Sequence, residues 1–328
     1  MKYGIIDIGS NTIRVVVYEI TDDGFECIFN KKQFVQLIDY VNNGTMRDEG
    51  KRNMLFAVRQ LADVAAHFRP QRIDCFATAP FRAVNNPSEL TDMITTFTGL
   101  HVKVLSGDEE ARLQMAGARY IHGLDDALFV DLGGGSLEAG LMTKGDVAHA
   151  QSIDIGCVNL SGRFVSGLFP SKLELKKLKA YIDNRLSELS WLSEAQGQTL
   201  VCTGGTARAL AEIHKSLSGS NVPVDSYEID AKELKTTCQT LIDMDIEGVR
   251  LIARHASGRI FTFVPGAVAL WRLAKAAKVS RVKFSTYGVR EGYLIDHYLN
   301  KRARSAEPIQ PYITRPETDG GYGKEDVV

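Results

Sequence analysis

Apolar and polar positions follow two rhythms along the chain, and the changes of rhythm mark the elements. Tyr3-Gly4-Ile5-Ile6 runs apolar into Asp7, a glycine-bearing turn follows at Ile8-Gly9-Ser10-Asn11-Thr12, and the apolar run resumes from Ile13 to Val17. That pattern predicts a strand, a tight turn and a returning strand. The same order recurs at Leu128-Phe129-Val130-Asp131, Leu132-Gly133-Gly134-Gly135-Ser136 and Leu137 to Leu141. A unit of strand, acid, glycine turn and strand that starts near residue 1 and again near residue 125 predicts two related lobes, with a cleft between them where ligands bind.

Between the hairpins the period lengthens. Met54, Val58, Leu61, Ala65 and Phe68 recur at helical spacing until Arg69-Pro70 stops the helix. Ile73 to Ala77 and His101 to Leu105 read as strands, and Asn86-Pro87-Ser88 as a helix start. Ser106 with Glu109 and Ser171 with Glu174 each match a capping box, the second opening a helix with Leu175, Leu178, Ile182 and Leu189 on its buried face. Thr199 to Cys202 reads as a strand that meets Thr203-Gly204-Gly205-Thr206, with a helix behind it. Helical patterns over Gly266 to Ala277 and Val289 to Leu299 flank the strand-like Val282-Lys283-Phe284. This alternation predicts an α/β protein, with lobes over 1–124 and 125–302 and the last helix packing back on the first lobe. Pro308, Pro311, Pro316 and the loss of apolar periodicity make 303–328 a flexible tail.

Composition narrows the function classes. A chain of 328 residues favours two domains, and its 44% hydrophobic and 24% charged residues are those of a soluble protein. No apolar run approaches the roughly 20 residues of a membrane span, so no membrane association is expected. Gly4-Ile5-Ile6-Asp7 stands where a signal peptide needs a longer apolar region. Five scattered cysteines without CxxC spacing suit reduced thiols in a cytoplasmic protein, and seven histidines form no HExxH pair. Any metal should therefore be held by oxygen. A formal net charge of −1 argues against binding a nucleic-acid polymer, although a local basic groove could hold a smaller polyanion. Lys172, Lys176, Lys177 and Lys179, and further on Arg250, Arg254, His255 and Arg259, read either as solvated faces or as guides for polyanions.

The glycine turns at 8–12, 133–137 and 203–206 each follow a strand, and their backbone amides can cradle phosphates. The candidate phosphate-binding residues are Gly9, Ser10, Asn11, Thr12, Gly133, Gly134, Gly135, Ser136, Gly204, Gly205 and Thr206. Asp7 and Asp131 end equivalent strands, so both would face the cleft and could hold Mg²⁺, unless one only caps its own turn. Glu138 lies seven residues after Asp131, where Arg14 follows Asp7, and is placed to complete the metal's outer shell. Glu110 sits one position beyond the Ser106 cap; its spacing leaves it open between a helix-dipole role and that of a general base for water.

Six blocks in order make the pattern specific: Asp7-Ile8-Gly9-Ser10-Asn11-Thr12, Ala77-Thr78-Ala79-Pro80-Phe81-Arg82, Ser106-Gly107-Asp108-Glu109-Glu110-Ala111-Arg112-Leu113, Asp131 to Glu138, Thr203-Gly204-Gly205-Thr206 and Gly288-Val289-Arg290-Glu291-Gly292. Together they resemble the motifs of the exopolyphosphatase and guanosine pentaphosphate phosphatase family. The resemblance implies the duplicated, two-lobed, ribonuclease H-like fold of actin, Hsp70 and sugar kinases. It also implies a Mg²⁺ (or Mn²⁺) ion, polyphosphate or guanosine pentaphosphate as substrate, and release of terminal phosphate by water; a homodimer is a further expectation. It assigns the catalytic base to Glu110, metal-associated positions to Asp131 and Glu138, a phosphate contact to Arg82, and a channel-lining, phosphate-binding position to Cys157 beside Gly156.

Three departures stand out. Leu137 replaces a Ser or Thr, which should remove a hydroxyl near the glycine triplet, and Gln36-Leu37-Ile38-Asp39-Tyr40 replaces a stretch with Arg and Gly. The additional helical domain of longer members, and with it a groove for long polymers, is not expected. Two rivals share the fold: a kinase that moves the γ-phosphate of ATP to a small acceptor, and a noncatalytic sensor of a phosphorylated nucleotide.

Overall fold

The computed structural model describes residues 1–299 apart from Asp23 and Asp245; the expected tail at 303–328 lies outside the described residues. The first hairpin forms as β1 (Lys2–Ile8) and β2 (Thr12–Ile20), followed by β3 (Phe25–Phe34). A small ribbon of β4 (Val41–Asn42) and β5 (Thr45–Met46) leads into α1 (Asp48–Ala66). Next come β6 (Arg72–Ala77), the one-turn α2 (Ala79–Arg82), α3 (Pro87–Thr98), β7 (Val102–Val104) and α4 (Gly107–His122). The second hairpin is β8 (Ala127–Leu132) and β9 (Leu137–Thr143), followed by β10 (Asp146–Ile153). After it run α5 (Cys157–Phe164), α6 (Lys172–Leu186), β11 (Thr199–Thr203), α7 (Gly204–Ser218) and β12 (Glu228–Asp230). The described chain closes with α8 (Ala231–Asp243), α9 (Ile246–Ala256), α10 (Phe263–Ala276), β13 (Arg281–Phe284) and α11 (Val289–Leu294).

Topology shows the duplication directly. The first sheet has the order β3-β2-β1-β6-β7 and the second β10-β9-β8-β11-β13-β12. In each, three antiparallel strands from consecutive hairpins precede two parallel strands reached through helices; the second sheet adds antiparallel β12 at its edge. This is the two-lobed, actin-like α/β architecture. Among the described residues no helix is long and apolar enough to cross a membrane.

Each lobe buries its own core. Ile6, Ile8 and Val15 meet Met54, Val58 and Leu61 of α1 in the first, while Leu128, Val130 and Leu132 meet helical residues such as Leu178, Ile182 and Leu270 in the second. Helix α4 divides its faces between them: Leu113 packs with Tyr3, Ile5 and Phe76 beneath the first sheet, and Met115 and Ala118 with Phe129 and Val201 beneath the second. Val289, Tyr293 and Leu294 of α11 join the first-lobe cluster. The chain boundary near 124 thus marks where the second sheet begins, whereas in space α4 is shared. Its capping box from Ser106 and Glu109 fixes where the shared helix starts, and so where Glu110 stands.

Candidate active site

The register of the two hairpins sets the site. Asp7 pairs across the strands with Arg14 in the first lobe, and Asp131 with Glu138 in the second. Side chains alternate across a sheet, so each acid and its partner seven residues later project from the same face. The two glycine turns meet between the lobes. A Cβ on Gly134 would lie 3.2 Å from the Ser10 Cβ, and one on Gly135 would lie 2.7 Å from the Ser10 hydroxyl. A side chain at Gly135 would have to displace the Ser10 hydroxyl, and one at Gly134 would crowd Ser10 and Asn11. The third turn follows β11 at Gly204, whose φ of +89° favours glycine and whose absent Cβ leaves Asp131 Oδ1 its room.

One cleft collects most of the expected residues. Asp7, Gly9, Ser10, Asn11, Thr12, Glu110, Asp131, Gly133, Gly134, Ser136, Glu138, Gly204 and Gly205 line a cavity of about 120 Å³. Gly205 and Gly204 open α7, whose first N–H groups have no helical acceptor and point at the cavity's end of the helix.

Four expected residues stand behind the wall. Arg82 donates through Nη1 to Glu110 Oε2 at 2.6 Å and to the Leu105 carbonyl at 3.1 Å, and its Nη2 lies 3.4 Å from Glu138 Oε1. It therefore ties together the two carboxylates rather than standing open in the cleft. Gly135 turns its carbonyl away, toward the Asn159 amide. The Cys157 side chain is fully buried, and its N–H donates to the Gly133 carbonyl, so α5 braces the glycine triplet from the rear. Thr206 is fully buried as well, facing Gly266.

Both departures near the turns resolve structurally. Leu137 is fully buried in the second-lobe core opposite Leu132, while Ser136 and Glu138 take the cleft face. The expected loss of a hydroxyl from the site does not occur, because position 137 points the other way. The segment Gln36 to Tyr40 braces the first turn: the N–H groups of Gln36 and Ile38 donate to the carbonyls of Asn11 and Ser10, and Leu37 is core.

The cleft holds charges of both signs. Burial pushes the Glu110 carboxyl well above the usual range, the Glu138 charge adds to this, and Arg82 opposes it. Burial also pushes Glu138 up, to about 7, with Ser136 opposing, Asp131 adding, and Arg82 and Ser152 opposing. Asp131 is raised by burial and by Asp7 against the pull of Arg290 and Arg208. Ser152 donates to Glu138 Oε1 at 2.8 Å. Arg14, Arg208, Arg259 and Arg290 line the same cavity. Only Arg290 has an acid partner among the described residues, Asp7 at 2.9 Å. Arg14 donates to Asn30, Arg208 to the Gly204 carbonyl, and Arg259 lies over Gly205 so closely that a Cβ there would sit 2.1 Å from its guanidinium. Burial and the neighbouring Arg290 and Arg208 lower the Arg14 pKa to about 10. Arg14, Arg208 and Arg259 repel one another and have no ion-pair partner among the described residues.

The carboxylates fit a cation unequally. Asp131 and Glu138 are adjacent; burial raises both, the Asp131 charge adds to the rise of Glu138 and the Asp7 charge to that of Asp131, and a divalent ion would relieve this. Asp7 is already neutralised by Arg290, so it does not share this fit. No three His, Cys, Asp or Glu side chains converge among the described residues. Magnesium commonly takes one or two carboxylates and completes its shell with substrate phosphate oxygens and water, which suits this pair.

Arg208 and Arg290 were missed as site residues by sequence reasoning, and Arg259 was seen only as part of a basic group. A signal existed for two of them: Arg208 lies one turn after Gly204, and Arg290 lies inside the Gly288 to Gly292 block.

Residues 16–301 match the Ppx/GppA phosphatase family. The chain belongs to that family. It is 23% identical over 307 residues to Exopolyphosphatase 1 of Mycobacterium tuberculosis, a match covering 90% of this chain and 88% of the relative. An exopolyphosphatase structure from Cytophaga hutchinsonii superposes with a TM-score of 0.80 at 22% identity, covering 90% of this chain and 97% of that one. The Ppx/GppA family member of Aquifex aeolicus gives 0.76 at 22% identity, with 92% and 98% covered.

Proposed function

We propose that the protein is a phosphohydrolase that releases the terminal phosphate of inorganic polyphosphate by attack of water. The observation that carries this reading is the set of charges in one cleft: Arg14, Arg208 and Arg259 without ion-pair partners among the described residues, together with Glu110 beside Glu138 and Asp131. A chain of phosphates satisfies the arginines and the amides of the glycine turns together. Family membership and the exopolyphosphatase relative support the same substrate class.

Glu110 is the general base. Its raised pKa brings its proton affinity toward that needed to accept a proton from water near neutral pH. Arg82 opposes the rise and, by donating to Glu110 Oε2, holds the carboxyl in place to orient the water. Arg290, held charged by Glu291 and Asp7 in spite of burial, aims at nonreacting phosphate oxygens. Asp131 and Glu138 would hold Mg²⁺ (or Mn²⁺), which when bound supplies charge neutralisation at the transferring phosphoryl group.

Guanosine pentaphosphate has a specific observation in its favour. A second cavity of about 600 Å³ shares Arg14, Gly205, Arg208 and Arg259 with the first and adds Asn30, Lys32 and the half-exposed ring of Phe34. It could take a nucleoside or further phosphates. The sensor rival loses its main ground, because Leu137 removes nothing from the cleft. The test is phosphate release from polyphosphates of several lengths and from guanosine pentaphosphate, each with Mg²⁺ and with chelator. Metal-dependent release from polyphosphate is expected. Binding without release would overturn hydrolysis in favour of sensing, and transfer to an added acceptor would favour a kinase.

A further inference from the structure

The lysines that sequence placed on one helix are part of a larger surface. Helices α6, α8 and α10 pack side by side on the second lobe. Lys172, Lys176 and Lys179 of α6 line one shallow groove of about 470 Å³. Lys232 and Lys235 of α8, with Lys275 and Lys278 at the end of α10, line another of about 460 Å³. Lys179 bridges the two, its ammonium 4.7 Å from the centre of the Trp271 ring. Burial lowers the Lys179 pKa, and so do the nearby charges of Arg272, Lys235 and Lys275.

No ion pair to any of these lysines exists among the described residues. The acids on the same helices are engaged elsewhere: Asp183 pairs with Arg272, Glu174 closes its capping box with Ser171, and Glu233 closes that of α8. On a chain of net charge −1, such a concentration of unpaired cations on one face is a local positive field complementary to a polyanion.

We infer that this face is an exosite for the distal part of a long polyphosphate chain whose end is being cut in the cleft. The inference rests on the polyphosphate reading. Three observations favour a plain phosphate chain over nucleic acid. The unpaired cations are all lysines, point charges without the planar fork that reads bases or pairs bidentately. The Trp271 ring is 9% exposed and covered by Lys179, so it offers no stacking platform to a base. The cleft and the cavity beside it, about 120 and 600 Å³, take the terminal phosphates and those next to them, so the distal part of a long chain extends onto the outer surface. Helix α10 connects the two places. Gly266 in its first turn packs against Thr206 and Cys157 behind the cleft turns, and its other end carries Lys275, roughly 14 Å further along the axis.

The experiment compares tripolyphosphate, too short to reach the face, with long-chain polyphosphate, using native protein and the triple variant Lys176→Glu, Lys235→Glu, Lys275→Glu. These side chains are exposed, and thermal melting checks that the fold is kept. The expected result is a KM for long chains raised about tenfold or more, with weaker salt dependence, while kcat and tripolyphosphate turnover stay as in the native protein. Direct binding of long chains to Glu110→Gln protein, with and without the lysine reversals, should show the same loss. An unchanged KM and unchanged binding for long chains would overturn the exosite. So would a loss confined to single-stranded nucleic acid or anionic vesicles. If native protein cut neither polyphosphate, the hydrolase reading itself would fall, a different result from either.

Discussion

The two glycine hairpins share strand order, register and an acid at the end of the first strand, yet they carry opposite charge seven residues later. In the first lobe that position is Arg14, and Asp7 is bound by Arg290; in the second it is Glu138 beside Asp131. Equivalent positions of the two hairpins thus present opposite charges to one cleft, to which helices of the second half of the chain add Arg208 and Arg290. Strand alternation keeps the changed position on the cleft face in both copies, so one substitution there reverses the local charge without disturbing the scaffold.

Four measurements would break or sharpen that comparison. The largest effect belongs to Glu110→Gln, which should lower kcat by about 10²–10⁴ while ligand binding, followed by calorimetry, is retained. Turnover at the native level would remove Glu110 from the chemistry. Next, Glu138→Gln should raise the Mg²⁺ concentration needed for half-activation by about tenfold or more, whereas Asp7→Asn should leave that titration in place and raise KM, since it loosens Arg290. Equal shifts from the two variants would mean that the hairpins are not divided by charge. Mn²⁺ binding followed by electron paramagnetic resonance gives the same comparison without turnover.

A smaller effect is expected in the pH profile. Glu110 must be ionised to accept a proton, and Arg82 pulls its pKa down against burial. Replacing Arg82 with Met should therefore move the acid limb of kcat/KM to higher pH; a limb that stays or falls would contradict the ion pair's role. The smallest concerns stability. A buried carboxyl whose folded pKa lies above its unfolded value favours folding when protonated, and that contribution is lost as pH rises from about 4.5 through about 7. Glu138→Gln should accordingly raise Tm by roughly 5 °C at pH 8 and much less at pH 5 in metal-free buffer. An equal change at both pH values would show that the Glu138 charge is compensated in the native state.

Much of the site was legible because its signals are local. An acid closing an apolar run and a glycine turn after it leave a mark within a dozen residues, as at Asp131 to Ser136, and the capping box of Ser106 and Glu109 fixes where Glu110 begins its helix. The arginines were hidden for the opposite reason. Arg208 and Arg290 sit on amphipathic helices, where a lone cation reads as solvated surface; only packing buries them against the cleft. Cys157 misled in the other direction, since its motif position suggested a channel wall while α5 turns it into the support behind one.

The sequence by itself determined the duplicated α/β units, the strand-end acids, the glycine turns and the family, because each depends on periodicity or on residues close together in the chain. Tertiary structure alone decided which carboxylate meets a guanidinium, that Leu137 faces the core, and that lysines from three helices share one surface. Those outcomes depend on side chains brought together from segments far apart in the chain, and burial and Coulomb interactions act on that proximity rather than on sequence distance.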